Sequence, residues 1–98
     1  MKIPKRVRIG ALNFRIEIVD TLKADQLNGQ SGPNLGHCDF EKQVIYICKA
    51  AKPVMFNTFL HEILHAFNSE FKNEEMIQNF TDSLQRLIKD NPKIFNGE

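Results

Sequence analysis

Tryptophan is absent from this chain of 98 residues, and Tyr46 is its only tyrosine. The apolar runs are short, and none approaches the roughly 18–20 residues that a membrane-spanning helix needs. The net charge is only +1, so long-range attraction to nucleic acid or to an anionic membrane is weak. The N-terminus lacks the apolar segment of a signal peptide. These absences predict a cytoplasmic protein with neither a membrane nor a nucleic-acid partner.

Cysteine is also scarce, with only Cys38 and Cys48. A disulfide between them would require Cα atoms within about 7 Å of each other. Because the sequence shows no export signal, two reduced thiols are the expected state.

The chain is nevertheless apolar enough to fold around a core. It contains 8 phenylalanines, and 42% of its residues are hydrophobic. A length of 98 residues lies within the usual range for one domain. We therefore expect a single domain over residues 1–98.

Alternating apolar and charged residues predict strands in the first half of the chain. Val7 and Ile9 alternate with arginines, and the same pattern resumes from Phe14 to Ile18 after a turn, which predicts a hairpin. Residues 37–40 and 44–48 are two further strand candidates. The polar stretch 21–36 predicts a long loop, either one rim of a substrate cleft or a surface connection.

The second half of the chain has helical periodicity. One helix is predicted over 53–69, with Pro53 in its first turn. A second is predicted to begin after Asn73 as N-cap and to stop at residues 90–92. Its expected buried stripe consists of Met76, Ile77, Phe80, Leu84, Leu87 and Ile88. The predicted class is α+β, with a small mixed or antiparallel sheet of three to four strands packed on both helices.

The first helix carries the pattern His61-Glu62-Ile63-Leu64-His65. Histidines four residues apart share one face of a helix and are able to bind the same zinc ion. Glu62 lies beside His61, where it is able to act on a water molecule without binding the metal. The polar residues of this helix form a stripe, namely Thr58, His61, Glu62, His65 and Asn68. The alternative interpretation is that this stripe is the solvated face of an amphipathic helix.

A catalytic zinc site requires a third protein ligand. The candidates are Glu70, Glu74, Glu75, Asp82, His37, Cys38 and Cys48. Helical phase separates two of them, because Glu74 lies about 90° and Glu75 about 170° from the expected buried centre of the second helix. We therefore prefer Glu74, with Glu75 as the second choice. The alternative is that both acids only complement the helix dipole.

The segment Thr58-Phe-Leu-His-Glu-Ile-Leu-His-Ala-Phe67, followed by Asn73-Glu-Glu-Met-Ile77 and Lys89-Asp-Asn-Pro92, resembles small gluzincin-type zinc metallopeptidases. Similar proteins include ImmA/IrrE-like proteins and short HExxH proteins of phages and prophages. The resemblance covers about residues 36–92, and only HExxH is sharply specific. It implies a zincin-like domain in which His61 and His65 bind Zn²⁺, Glu62 is the general base, and a glutamate of the next helix is the third ligand. It also implies an edge strand running along the motif helix.

The resulting hypothesis is a zinc metallopeptidase that hydrolyses peptide bonds. A peptide or protein substrate would pair with the strand Val44–Ile47 by β-augmentation. Tyr46 is a candidate oxyanion donor, and Thr58 and Asn68 are candidates for orienting the metal ligands. The oligomeric state stays open.

Two alternatives remain. One is a latent or catalytically inert zinc-binding regulatory protein of phage or prophage origin, with the long loop and residues 93–98 filling the cleft. The other is an interaction domain without metal, in which HExxH arises by chance.

Overall fold

A computed structural model describes residues 2–21, 35–67 and 73–95 of the chain. In chain order, the elements are β1 (Arg6–Ile9), β2 (Leu12–Val19), β3 (Gly36–Asp39), β4 (Val44–Cys48), α1 (Lys52–Phe67), α2 (Glu74–Asp90) and the short α3 (Pro92–Phe95). The predicted α+β class is confirmed.

The four strands form one mixed sheet in the order β1-β2-β4-β3. β1 and β2 form the predicted hairpin, joined by a two-residue turn in which Gly10 has φ 61°. A positive φ at the first turn position favours glycine because any Cβ would be strained there. β4 runs parallel to β2 and antiparallel to β3. β1 and β3 are therefore the edge strands of the sheet that the described residues form.

One face of the sheet packs against α1. The buried core combines strand residues with two residues of the helix, and its members are Phe14, Ile16, Cys38, Ile45, Ile47, Phe59 and Ala66. Ile45 and Ile47 alternate along β4, as the two-residue period of a strand requires. α1 consequently lies under β3 and β4, so its motif residues are placed next to the β3 edge of the sheet.

α2 packs on α1 and begins where the sequence predicts. The Asn73 side chain accepts a hydrogen bond from the Met76 backbone N–H at 3.0 Å, which is the expected N-cap contact. The helix ends at Asp90, and the following turn of helix, α3, is an element that the sequence did not predict. Within the described residues, no helix combines the length and the apolar character needed to cross a membrane.

The predicted buried stripe of α2 is only partly correct. Ile77 is fully buried, whereas the side chains of Met76, Phe80 and Leu87 are about half exposed, at 46%, 52% and 47%. They lie on the side of α2 away from the residues that contact α1, so helical periodicity overestimated the width of the packed face. The predicted long loop lies mostly outside the described residues, as do Asn68 and Glu70.

Candidate metal centre

His61, His65 and Glu74 meet at one point between α1 and α2. One Glu74 oxygen lies 2.9 Å from His61 Nε2, and the other lies 2.8 Å from His65 Nε2. All three residues are able to offer one ligand atom within 4.8 Å of one another. The structure thus brings together the two motif histidines and the glutamate that helical phase favoured.

The start of α2 explains why Glu74 reaches the histidines. Glu74 is the first residue of the helix, directly after the Asn73 cap. Ile77 is 0% exposed and fixes the rotation of the helix about its axis. With that rotation, Glu74 and Gln78, one turn apart, both point toward His61.

The donor set fits a divalent transition metal. Two imidazole nitrogens and one carboxylate are ligands that zinc prefers, and three protein ligands leave a position for water or substrate. Two ligand atoms bound at about 2.0–2.1 Å and at the tetrahedral angle lie about 3.3 Å apart. Each Glu74 oxygen contacts one histidine, at 2.9 and 2.8 Å, and one ligand atom from each of the three residues lies within 4.8 Å of the others, so the group is compact enough to close around one ion.

Gln78 holds the other side of the His61 ring. Its Oε1 lies 2.8 Å from His61 Nδ1. An amide oxygen only accepts, so this contact places a proton on Nδ1. Nε2, which lies 2.9 Å from Glu74 Oε2, is then the ring nitrogen that is able to release its proton and bind a metal ion. That tautomer is the one a metal ligand requires.

Gln78 is itself held by a polar network at the helix interface. Its Nε2 donates to Asn57 Oδ1 at 3.1 Å and to Asp82 Oδ1 at 2.8 Å. The Asn57 amide in turn donates to Gln85 Oε1 at 2.8 Å, and Gln85 donates to the Pro53 carbonyl at 3.0 Å. Because Gln78 donates with its nitrogen to these oxygens, its Oε1 is the atom left to face His61.

Glu62 occupies a different direction from the histidines. It is 7% exposed, and its Cγ is 3.3 Å from the position that a Cβ on Gly36 would take. Glu62 therefore lies under the edge strand β3, while its neighbour His61 faces α2. Burial raises the pKa of Glu62 to about 8, and the negative charge of Glu74 adds to the rise. The positive charge of a nearby metal ion acts in the opposite direction.

Gly36 permits this close approach of strand and helix. A Cβ at this position would lie 2.5 Å from Thr58 Cγ2 and 2.9 Å from the backbone oxygen of Tyr46. Thr58 is buried, and its hydroxyl donates to the Val54 carbonyl within α1 at 3.0 Å. The polar stripe predicted on α1 is thus divided, because Thr58 and Glu62 face the sheet while His61 and His65 face α2.

Other candidate ligands lie elsewhere. Glu75, the second choice, is exposed and is not part of the metal-binding group found among the described residues. Asp82 belongs to the network behind Gln78. Burial raises the pKa of the Cys38 thiol to about 12, and the charges of Glu62 and Asp39 add to the rise, so its thiolate form is disfavoured. Cys38 and Cys48 are not joined by a disulfide.

His37 on β3 also stays outside the group. It is buried, and burial lowers its pKa, although the charge of Asp39 opposes this effect. Glu70 lies outside the described residues.

The predicted docking of a peptide along Val44–Ile47 is wrong. β4 is paired with β2 on one side and with β3 on the other, so its main-chain groups already have partners. Tyr46 also points away from the motif helix, because it alternates with Ile45 and Ile47, which face α1. It is 4% exposed, and this position does not support the suggested oxyanion contact.

Gln78 and Gly36 are the functional candidates that sequence reasoning missed. Gln78 follows Glu74 by four residues, so helical spacing alone places it on the ligand face. Gly36 lies in the segment that the resemblance covers, but its role was not predicted, because it depends on how closely β3 approaches α1.

Comparison of the chain with family models, curated proteins and solved structures found no match. The resemblance to gluzincin-type peptidases therefore stays a prediction that rests on the motif and on the arrangement of the site.

Proposed function

We propose that the protein is a zinc-dependent metallopeptidase whose metal is held by His61, His65 and Glu74. The observation that carries this proposal is the convergence of both motif histidines on one carboxylate, at 2.9 and 2.8 Å. A histidine pair on a solvated helix face, the alternative interpretation of the motif, requires no such carboxylate. The hydrogen bond from His61 to Gln78 further supports a ligand role, since it sets the tautomer.

A bound zinc ion supplies Lewis-acid polarisation of a carbonyl group and acidifies water. The chain supplies the base. Glu62 accepts a proton from the attacking water and returns it to the leaving amine, as a buried carboxylate beside such a site is suited to do. Its burial under β3 keeps the side chain from turning to bulk solvent.

The outer edge of β3 is the proposed binding site for the peptide. The Cys48 backbone N–H donates to the Leu35 carbonyl at 2.7 Å, which makes these residues a hydrogen-bonded pair of the antiparallel ladder. The pattern alternates along the strand, so the main-chain groups of Gly36 and Cys38 point outward. An extended peptide paired with these groups would run past Glu62, which lies under Gly36.

The test compares Glu62→Gln with Glu75→Gln on a library of fluorogenic peptides, after loading with one equivalent of zinc. Glu75 is an exposed acid next to Glu74, so its substitution is the matched control. We expect Glu62→Gln to keep the metal and to lose about 10²–10⁴-fold in kcat/KM, while Glu75→Gln retains activity. Equal cleavage by Glu62→Gln and the wild type would refute the assigned base. Zinc binding without cleavage by the wild type would favour the inert regulatory protein instead.

A further inference from the structure

Along the outer edge of β1, main-chain groups that do not bond to β2 lie beside a strongly basic face of the sheet. The Ile16 backbone N–H donates to the Lys5 carbonyl at 2.8 Å, so Lys5 and Ile16 are a hydrogen-bonded pair of the hairpin. By alternation, the main-chain N–H and C=O groups of Arg6 and Arg8 point away from β2. No strand among the described residues pairs with this edge.

Three arginines share the sheet face that lies away from α1. Arg6 and Arg8 alternate with the half-buried Val7 and Ile9, and both arginines are exposed. Arg15 lies directly opposite Arg6. That pair is of the non-hydrogen-bonded type, in which the Cα atoms are about 4.5 Å apart and side chains are closest. Two like charges at such a position are destabilising unless an anion lies between them.

Acidic side chains among the described residues neutralise only part of the positive charge of these three arginines. Arg15 forms an ion pair with Glu17 at 3.0 Å. Arg8 Nε donates to the Gly10 carbonyl at 3.3 Å, which is an uncharged acceptor. No acidic side chain of the described part of the chain forms an ion pair with Arg6 or Arg8. The edge therefore favours a ligand that brings carboxylates to these two positions.

We propose that β1 binds an extended segment of a partner protein in which acidic and apolar residues alternate. Alternate residues of an added strand would lie beside Arg6 and Arg8 on one face, where carboxylates are complementary. The intervening residues would lie beside Val7 and Ile9, which pack at the margin of the core and favour apolar neighbours. The main chain of the segment would pair with the outward groups of Arg6 and Arg8.

Two other occupants fit this edge less well. A second copy of the chain pairing through β1 would set arginine against arginine, which is unfavourable. Single-stranded nucleic acid is bound on aromatic side chains that stack with bases. The residues of β1 and β2 on this face include no aromatic residue; they are Arg6, Arg8, Asn13, Arg15, Glu17 and Val19. This surface lies at the opposite edge of the sheet from β3, so the proposal is independent of the metal site.

The experiment measures fluorescence anisotropy with a labelled ten-residue peptide that alternates Glu and Val. Two control peptides accompany it, one with Lys in place of Glu and one with the five Glu and five Val residues in separate blocks. We expect the alternating peptide to bind at least about tenfold more tightly than either control, because only it matches the pattern of β1. Equal binding of the block peptide, or no binding of the alternating one, would overturn the proposal.

Charge-reversal variants test whether the peptide binds at β1. Arg6→Glu/Arg8→Glu should weaken binding of the alternating peptide at least about tenfold. Lys49→Glu/Lys52→Glu makes the same change in net charge at exposed positions away from β1 and should leave affinity within about twofold. Equal loss in both variants would overturn the proposal, since it would show attraction by net charge alone.

Main-chain pairing has its own test. Arg8→Pro removes an N–H that points outward, whereas Arg8→Ala keeps it, and proline is tolerated at such edge positions. We expect Arg8→Pro to bind at least about fivefold more weakly than Arg8→Ala. If Arg8→Pro fails to fold, hydrogen exchange on the wild type replaces it, and the peptide should slow exchange at Arg6 and Arg8. Unchanged exchange there, tighter binding of an oligo(dT) probe, or dimerisation in the ultracentrifuge would overturn the proposal.

Discussion

Gln78 connects the polar network between α1 and α2 to the proposed metal site. Its side-chain oxygen lies 2.8 Å from His61 Nδ1, and its nitrogen donates to Asn57 and Asp82. The amide is therefore fixed in one orientation, which sets the His61 tautomer. A free histidine side chain would have to be oriented when the metal binds, and the network removes most of that cost.

We predict that Gln78→Leu lowers zinc affinity about 10–100-fold, the usual cost of losing a partner of a metal-bound histidine. The measurement is a competition titration against a fluorescent chelator. Gln85→Leu is the matched control, because Gln85 belongs to the same network without contacting His61. Equal affinity of the wild type and Gln78→Leu would contradict the positioning role.

Cys38 gives a prediction for pH dependence. Its pKa is raised to about 12, mainly by burial, so at pH 8 only about one thiol in ten thousand is ionised. Because the thiolate is the reactive form, the alkylation rate of Cys38 in the folded Cys48→Ser variant should still rise about tenfold per unit between pH 8 and pH 10. An ordinary thiol would level off in that range. Iodoacetamide labelling followed by mass spectrometry checks the profile, and levelling off near pH 9 would contradict it.

At the scale of elements, the contact between β3 and α1 determines where Glu62 lies. Gly36 allows the strand to approach the helix to a distance that any side chain would prevent. The same contact buries Thr58 and Glu62 and leaves the histidines facing α2. The spacing of helix and strand thus separates the proposed base from the proposed ligands.

We predict that Gly36→Ala lowers the free energy of unfolding by about 1–3 kcal/mol, the usual cost of overpacking. The added Cβ would lie 2.5 Å from the Thr58 methyl carbon and 2.9 Å from the Tyr46 carbonyl oxygen. Thr58→Ser removes the methyl group and keeps the hydroxyl, so Gly36→Ala/Thr58→Ser should recover part of the loss. Urea denaturation measures both variants. If the Gly36→Ala protein were as stable as the wild type, β3 and α1 would be able to move apart without loss of stability, which would contradict the prediction.

The elements themselves follow from local signals. Alternation located β1 and β2, a short apolar run bounded by charges located β4, and Asn73 located the start of α2, because these signals act over a few residues. Sequence also selected Glu74 over Glu75, by helical phase from a stripe centred near Ile77 and Leu84, and Ile77 is indeed fully buried. The order of the strands was not predictable in this way. β4 was expected to bind peptide, whereas it is a central strand, because strand pairing depends on contacts distant in sequence.

For the whole molecule, the proposed site requires the sheet and both helices together. The sheet edge covers Glu62, α1 supplies two histidines, and α2 supplies Glu74 and Gln78. The spacing of residues in the sequence did not predict this tertiary arrangement. It also did not predict the close approach at Gly36, or that half of the expected buried stripe of α2 is exposed. If zinc bridges the two helices, the metal should also stabilise the fold as a ligand that binds only the native state.

The most direct test is the metal content of protein purified without added metal, measured by mass spectrometry for the wild type, His61→Ala and Glu75→Gln. We predict about one zinc per chain in the wild type and in Glu75→Gln, and loss of zinc in His61→Ala. Addition of a chelator should lower the Tm of the wild type and leave that of His61→Ala unchanged. Absence of metal from the wild type, with no rise in Tm on adding zinc, would contradict the proposed metal centre and the peptidase function with it.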